Sequence, residues 1–458
     1  MRTLLTLTLL LCSPLLAAET VNDVTGLNPI QVQQVLAPTR LEQIVQAVRE
    51  HRGPIAIGGG RFSMGGQTAS ENALQLDMRN FDEVLEFSAE RREIRVQAGI
   101  TWREILEYID PYGLSPQIMQ SYANFTVGGS LSVNAHGRYV GQGPLVLTVR
   151  SICLVLADGS LVDASPTQNS ELFYGAIGGY GGLGVITEAT LALTENSKLA
   201  RESQVMPLSE YPRFFAAHVR ANPDMVMHNG ILYLDDYATV RTVSYVRTDA
   251  PLTVEERLVP ADRDYSAMRA ALGIATSKGG MKLREAALDP LLYKGTQVQW
   301  RNHEASLDVR ELQPIAGPGY SYVLQEYFVP EVQLEQFVAG MKGVLKEHRI
   351  KMANISIRHA KADPGTLLAW SRGDTFSLVL YYRQGTSEAQ RAAVASWTRE
   401  LIDLAVAAQG TYYLPYQIHA SREQFFAAYP RAGAFFALKK RVDPDNKFRN
   451  KLWDTYYR

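Results

Sequence analysis

Cysteine is nearly missing from this 458-residue chain, which carries it only at Cys12 and Cys153. Once a segment containing Cys12 is removed, no intrachain disulfide can form, and Cys153, inside Ser151-Ile-Cys-Leu-Val-Leu156, reads as a buried strand residue. Charge of one sign is also lacking: 46 Lys and Arg stand against 47 Asp and Glu, and no basic tract interleaves with aromatics. That balance gives no argument for a nucleic acid or an anionic membrane as partner. The eight histidines show no metal-ligand spacing with cysteines or paired carboxylates, so no metal site is expected. There is no G-x-S-x-G nucleophile elbow and no Gly-Lys-Ser/Thr ending of a P-loop, which removes the serine hydrolase and nucleotide triphosphatase readings. No apolar run is long enough for an integral membrane span, and no internal repeat or low-complexity tract appears.

The chain starts with Arg2, an apolar run from Leu4 to Leu11, and Ser13-Pro14-Leu-Leu-Ala17-Ala18. That order reads as a secretory signal over 1–18, giving a periplasmic or secreted protein. A twin-Arg pair is absent, so any cofactor is expected to load after export. At this length two domains are expected, and 46% hydrophobic with 20% charged residues is an ordinary globular composition.

Glycine is concentrated in three places. They are Gly58-Gly59-Gly60-Arg61-Phe62-Ser63 with Gly65 and Gln67 just after, Thr126-Val-Gly128-Gly129-Ser-Leu-Ser132-Val-Asn134-Ala135-His136-Gly137, and Gly178-Gly179-Tyr-Gly181-Gly182-Leu-Gly184-Val185-Ile186. Glycine so dense predicts backbone packed against a large ligand, because without a Cβ the chain adopts positive φ and brings its N–H groups close. The last run satisfies G-x-G-x-x-G, but a β-branched strand follows it where a nicotinamide-binding turn opens a helix. The first run precedes loop sequence, so it fails the same test despite Asp77, a tempting ribose ligand.

Three glycine loops joined to strands in this way resemble the FAD-binding domain of the vanillyl-alcohol oxidase or p-cresol methylhydroxylase type, and within it the aldonolactone and alditol oxidoreductases. Gly58 to Gln67 matches the family's pyrophosphate loop, Gly128 to Gly137 its flavin-facing "GG…HG" loop, and Gly178 to Ile186 the segment along the adenosine half. The ending Val442-Asp-Pro-Asp-Asn-Lys-Phe-Arg-Asn450 resembles the family's C-terminal "DP…F.N" tail. The resemblance implies an α+β fold: a two-subdomain FAD-binding domain plus a ferredoxin-like cap.

Its elements are expected as follows. Thr39-x-x-Glu42 caps a helix from about Leu41 to Glu50, and Thr101-x-x-Glu104 caps another to about Ile109. Strands are expected at Leu74 to Asp77 and Glu93 to Ala98, with a hairpin turn at Asp158-Gly159. After about Asn196 the glycine clusters cease. Strands at Gly230 to Leu234 and Val240 to Arg247 lead to a β-α-β-β-α series: Tyr322 to Val329, Glu331 to Glu347, Met352 to His359, Phe376 to Tyr382 and Ser387 to Ala407. The boundaries are therefore an FAD-binding domain over 19–196, a cap over 197–410, and a return to the first domain over 411–458.

The resemblance also assigns candidate roles. Arg61 stands where many relatives carry a histidine bonded to the flavin, and a guanidinium that stays protonated cannot make that bond, so FAD is expected to be noncovalent. Arg61 either pairs with the pyrophosphate or is a solvated loop residue. His136 contacts the isoalloxazine or substrate, unless packing merely locks it, and Ala135 beside it bears on dioxygen access. Ser356-Ile-Arg358 resembles the family's "E-I-R" substrate strand with serine in place of glutamate. Arg358 is then the group that polarises a substrate oxygen. Tyr412-Tyr-Leu-Pro415-Tyr416-Gln417-Ile-His419 falls where relatives have "P-H-W-x-K", which makes His419 the general-base candidate, with Tyr416 and Gln417 beside it; a surface histidine is the alternative. Asn450 closes the cofactor set.

The implied activity is oxidation of a CH–OH group of an alcohol, polyol, sugar or sugar lactone, with dioxygen or an unknown redox partner as electron acceptor. Two alternatives stand: an oxidase of a lipid-linked sugar of the decaprenylphosphoryl-ribose oxidase type, and a flavin-binding protein without turnover.

Overall fold

The computed structural model describes residues 19–266, 269–270, 279–312 and 316–457, and the expected signal segment 1–18 lies outside them. Parallel strands need a long crossover, and the first subdomain supplies one. Strand Leu74–Asp77 sits between Gln34–Leu36 and Ile55–Gly58, all parallel, and helix Leu41–Glu50 joins the outer pair, burying Ile44 and Val48. The cap of that helix differs from expectation. The acceptor is Gln43 rather than Glu42: its Oε1 takes the N–H of Arg40 at 3.1 Å and of Thr39 at 2.9 Å, because the helix begins one residue later than a Thr39 cap requires.

The second subdomain is an antiparallel sheet in the order Leu161–Ala164, Val149–Val155, Val185–Glu195, Glu93–Gln97, Val84–Ser88. The Asp158-Gly159 turn closes its first hairpin, with Gly159 at φ 79°. Helix Trp102–Ile109 packs Ile105, Leu106 and Ile109 into this core. Its capping box is the predicted one: Thr101 Oγ1 accepts from Glu104 N at 3.2 Å, and Glu104 Oε2 accepts from Thr101 N at 2.7 Å. Such a cap stabilises by about 1 kcal/mol.

The rest of the chain is organised by a nine-stranded antiparallel sheet. The β-α-β-β-α series is present as Tyr320–Pro330, Leu334–Glu347, Met352–Ala360, Thr375–Gly385 and Glu388–Ala407. Its strands are not a separate layer. Met352–Ala360 pairs with Met225–Leu232, which continues through Thr239–Arg247 to Lys198–Pro207 and Gln297–Trp300. The strand Lys198–Pro207 escaped the sequence reading because its residues are mostly half-exposed and carry little apolar periodicity. The two long helices cover one face, with Phe337, Val338, Met341, Trp397 and Leu401 buried. The other face looks toward the glycine loops. Among the described residues no helix is long and apolar enough to cross a membrane.

The terminal segment returns to the first subdomain, as Phe448 bridges to Ile55. A fully buried ion pair fixes it. Lys439 Nζ meets Asp443 Oδ2 at 2.7 Å and donates to the carbonyls of Gly182 and Phe448, each at 2.8 Å, while Asp443 accepts from the N–H groups of Lys447 and Phe448. Burial pulls the Lys439 ammonium down, and Asp443 works against that. Every polar atom of the pair has a partner, so removing one member leaves an uncompensated charge, at a cost of about 3–5 kcal/mol. Lys439→Met is therefore expected to lower the denaturation midpoint by that amount, measured in urea on the purified protein. A midpoint shift equivalent to less than about 1 kcal/mol would contradict the assigned role.

Candidate active site

The strands of the large sheet alternate side chains between faces, and the face turned away from the helices forms one wall of a cavity of about 1140 Å³. Leu324 and Glu326, Asn354, Ser356 and Arg358, and Val379 and Tyr381 all line it at two-residue spacing. Register places Ser356 and Glu326 on either side of Val379. The expected common face of Ser356 and Arg358 is thus present, and Glu326 completes it.

The opposite wall is made by the glycine loops. From the first loop, Gly58, Gly59, Gly60, Arg61, Phe62, Ser63 and Gln67 line the cavity. From the second come Thr126, Gly128, Gly129, Ser132, Ala135 and His136, and from the third Gly181, Gly184 and Ile186. The second loop contains a short helix, Val127–Ser132, whose N-cap Thr126 accepts from Gly129 N at 3.3 Å. A Cβ on Gly59 would sit 2.2 Å from Thr126 Oγ1, so the first two loops touch where only glycine fits.

Several residues expected at the cofactor do not line this cavity, and each has another reason to be what it is. A Cβ on Gly65, Gly137 or Gly179 would lie 2.4, 2.2 or 2.2 Å from the carbonyl oxygens of Tyr416, Met119 and Gly175, and one on Gly182 would lie 2.6 Å from Trp453 Nε1. Those glycines serve close packing of the protein on itself. Val185 is fully buried in the first subdomain's core. Asn134 accepts from Val146 N and donates to Asp363. Asn450 caps the last helix and donates to the Tyr180 carbonyl at 2.7 Å.

His419 is the main correction. It is not among the residues lining the cavity, and burial, followed by Arg399, Arg391 and Lys451, lowers its imidazole to about 4. It is a poor proton acceptor at neutral pH in a place the cavity does not reach. Gln417 likewise points elsewhere, exchanging amide hydrogen bonds with Gln384. Tyr416 does line the cavity, and its hydroxyl donates to Glu326 Oε2 at 3.4 Å.

What stands in place of His419 is a buried pair. His136 Nε2 lies 2.7 Å from Glu326 Oε1, both side chains nearly inaccessible. The imidazole is held by Trp370, Phe328 and Tyr413, with ring centroids 4.9, 5.5 and 5.8 Å away. Burial alone would raise the Glu326 carboxyl, but His136 and Arg358 more than offset it and hold it below the usual carboxylate range. Glu326 was missed in the sequence, although a carboxylate inside Tyr320–Pro330, a strand otherwise largely apolar, is itself a signal.

Several buried polar atoms around the cavity have no partner: Arg61 Nε, Gln120 Nε2 and Oε1, Ser121 Oγ, Glu311 Oε2 and Arg358 Nε. Among the described residues Arg358 makes no ion pair closer than 4 Å, and burial lowers its guanidinium while Glu326 opposes this. Arg61 is not a solvated residue. It pairs with Asp77 at 2.9 Å, leaving the Nε edge for a ligand. Asp77 is thereby occupied by Arg61 and Arg79.

A long cavity with glycine backbone and an arginine edge at one side, and unpartnered polar groups at the other, fits a dinucleotide with a flat ring. The family described as "FAD binding domain" matches residues 32–165. Similar curated proteins include the mitochondrial L-galactono-1,4-lactone dehydrogenase of Brassica oleracea, 31% identical over 42% of this chain and 32% of its own length. Cytokinin dehydrogenase 9 of Oryza sativa subsp. japonica is 29% identical over 42% of this chain and 38% of its own length. L-gulonolactone oxidase of Mus musculus is 24% identical over 43% and 44%. The matched region spans less than half the length of each of these relatives. FAD is the cofactor this match supports, and Gly58 to Ser63, Gly128, Gly129, Gly181, Gly184 and Ile186, which line the cavity, are the residues that would hold it.

The contact between Gly59 and Thr126 makes a specific prediction about the FAD-binding domain. Gly59→Ala should push the first loop off Thr126, whose Oγ1, Cβ and Cγ2 the new Cβ would meet at 2.2, 3.3 and 3.4 Å, and lower copurifying flavin, read from the visible absorbance of the purified protein. Thr126→Ala, which only removes a cap of about 1 kcal/mol, should keep it. Equal flavin content in Gly59→Ala and wild type would refute this account of the loop.

Proposed function

We propose that the protein is a FAD-dependent oxidoreductase that oxidises a CH–OH group of a polyol, sugar or sugar lactone. The carrying observation is Arg358, a buried guanidinium without an ion-pair partner, on the cavity wall beside the His136–Glu326 pair. The relatives named above act, as their names state, on lactones or cytokinins, and the lactone group supports the substrate class.

In this reading bound FAD supplies the acceptor for the hydride of the substrate carbon. The chain's own residues do the rest. Arg358 polarises the substrate oxygen with donors that nothing else in the protein satisfies. His136, its ring oriented by Glu326 and by the aromatic box, takes the hydroxyl proton in place of His419. Arg61 in place of a histidine leaves FAD noncovalent. The sequence of segment 1–18 supports export to the periplasm or beyond the cell as part of this reading, and the reoxidant is dioxygen or a redox partner, distinguished by whether peroxide is released.

The test is anaerobic mixing of the FAD-loaded protein with a panel of alditols and aldonolactones, following the flavin band. Bleaching by a member of the panel is expected, and none across the whole panel would overturn the substrate class. Arg358→Met should lower kcat/KM by roughly 100-fold or more, mostly through kcat, while the flavin stays bound. A loss confined to KM would assign Arg358 to binding alone.

A further inference from the structure

Part of the cavity lining has not yet been assigned a role. The chain between Leu114–Pro116 and the short helix of the second loop carries Gln120, Ser121 and Tyr122 to its wall, and a 3-10 turn at Val309–Leu312 brings Glu311 there. Each of Gln120, Ser121 and Glu311 has at least one side-chain polar atom cut off from solvent and without a partner; in Gln120 both the amide nitrogen and oxygen are orphaned. Native proteins rarely leave such atoms unmatched, and several converging on one cavity mark a place where a ligand supplies the partners. The orphaned set contains donors and acceptors together, which matches hydroxyl groups, since each hydroxyl both gives and receives a hydrogen bond.

Glu311 differs from the other acids around it. Glu304 is fully engaged, with Arg138 Nη2 at 2.6 Å from Oε1 and Gln299 Nε2 at 2.7 Å from Oε2. Asp289 has Arg284 at 3.3 Å and Glu326 has His136. Among the described residues Glu311 has no ion pair within 4 Å; of the two arginines near it, Arg138 is already committed to Glu304.

Resting on the substrate class proposed above, we infer that Gln120, Ser121 and Glu311 form a subsite for the hydroxyl groups of a polyhydroxylated substrate, with the Glu311 carboxylate as acceptor, and that binding there expels a proton. The groups facing Glu311 are Glu304, Arg138 and Arg263, with Tyr122 and Tyr265 alongside. Burial first, then Glu304, push its carboxyl up to about 7, while Arg138 and Arg263 oppose the rise. Near neutrality the free site therefore holds a proton part of the time. Hydroxyls that donate to the charged carboxylate stabilise that form, so the proton leaves on binding and affinity rises with pH through about 7.

The test uses the FAD-loaded protein with its flavin kept reduced by dithionite under argon, so that L-galactono-1,4-lactone or sorbitol binds without turnover. Calorimetry in two buffers of different ionisation heat, from about pH 5.5 to 8.5, reads both affinity and protons exchanged. The wild type is expected to lose affinity by up to about tenfold per pH unit below 7 and to release up to about half a proton on binding near pH 7, approaching one proton at lower pH. Glu311→Gln should bind with a pH-independent affinity and exchange no proton. Binding by the wild type with no proton release and no pH slope overturns the inference and leaves the proposed activity standing. Binding by neither compound, in a protein whose flavin no panel member bleaches, overturns both. A second measurement needs no ligand: the infrared spectrum of wild type minus Glu311→Gln should show a protonated-carboxyl band that disappears as pH rises through neutrality, and its absence overturns the inference.

Discussion

The contact on which both halves of the molecule depend is the one between His136 and Glu326. His136 belongs to the second glycine loop and Glu326 to a strand of the large sheet, so the 2.7 Å approach of the two side chains joins cofactor domain to cap at the cavity itself. The joint is widened by its neighbours. Asn134 Nδ2 donates to Asp363, Trp370 Nε1 donates to the Asn134 carbonyl at 3.0 Å, and the Tyr413 hydroxyl donates to the Val133 carbonyl at 3.0 Å. A carboxylate this deeply buried is costly unless matched, which ties the loop to one position over the sheet. Of the groups in this joint, His136, Glu326 and Tyr413 also line the cavity.

Each of the three loops contains one residue other than glycine in the left-handed region: Arg61 at φ 59°, Asn134 at 48° and Tyr180 at 51°. Such residues persist only where their surroundings hold them. Arg61 is held by Asp77, Asn134 by Asp363 and Val146, and Tyr180 by the hydrogen bonds from its N–H to the Ser132 carbonyl and from Asn450 to its own carbonyl. Asn450, Lys439 and Asp443 therefore act on the cofactor site from the far end of the chain. They fix the third loop without touching the cavity. The glycine-rich loops are rigid because side chains distant in sequence complete them.

The cofactor half was legible because its signals are local. A glycine cluster, a capping box at Thr101 or a hairpin at Asp158-Gly159 is specified by residues within a few positions of one another, and each formed as read. The failures share a cause. Which glycines face a ligand and which face protein, as with Gly65 and Gly137, depends on chain segments far away. His419 was placed by analogy along the sequence, yet whether a histidine reaches a cavity is decided by the path of a loop, and this one ends under Arg391, Arg399 and Lys451. Glu326 went unread because its partner lies 190 positions away in the numbering, at His136.

The large sheet explains why substrate identity is harder to read than cofactor identity. A strand offers every second residue to the cavity, so five strands contribute Asn229, Ile231, Val243, Tyr245, Leu324, Glu326, Asn354, Ser356, Arg358, Val379 and Tyr381 without any contiguous motif. Substituting any one of them changes the cavity wall while leaving backbone pairing intact, because ladder hydrogen bonds do not depend on side-chain identity. Ser356, at the place where the family resemblance implies a glutamate, is such a change. It removes a charge from the row that still contains Glu326, so the two carboxylates of a glutamate at 356 and Glu326 never have to share one buried wall across Val379. Like charges that close in low dielectric disfavour joint ionisation. The serine thus lets Glu326 stay ionised beside His136, while Glu311 brings a second carboxyl to another part of the cavity lining, with Arg138 and Arg263 near it.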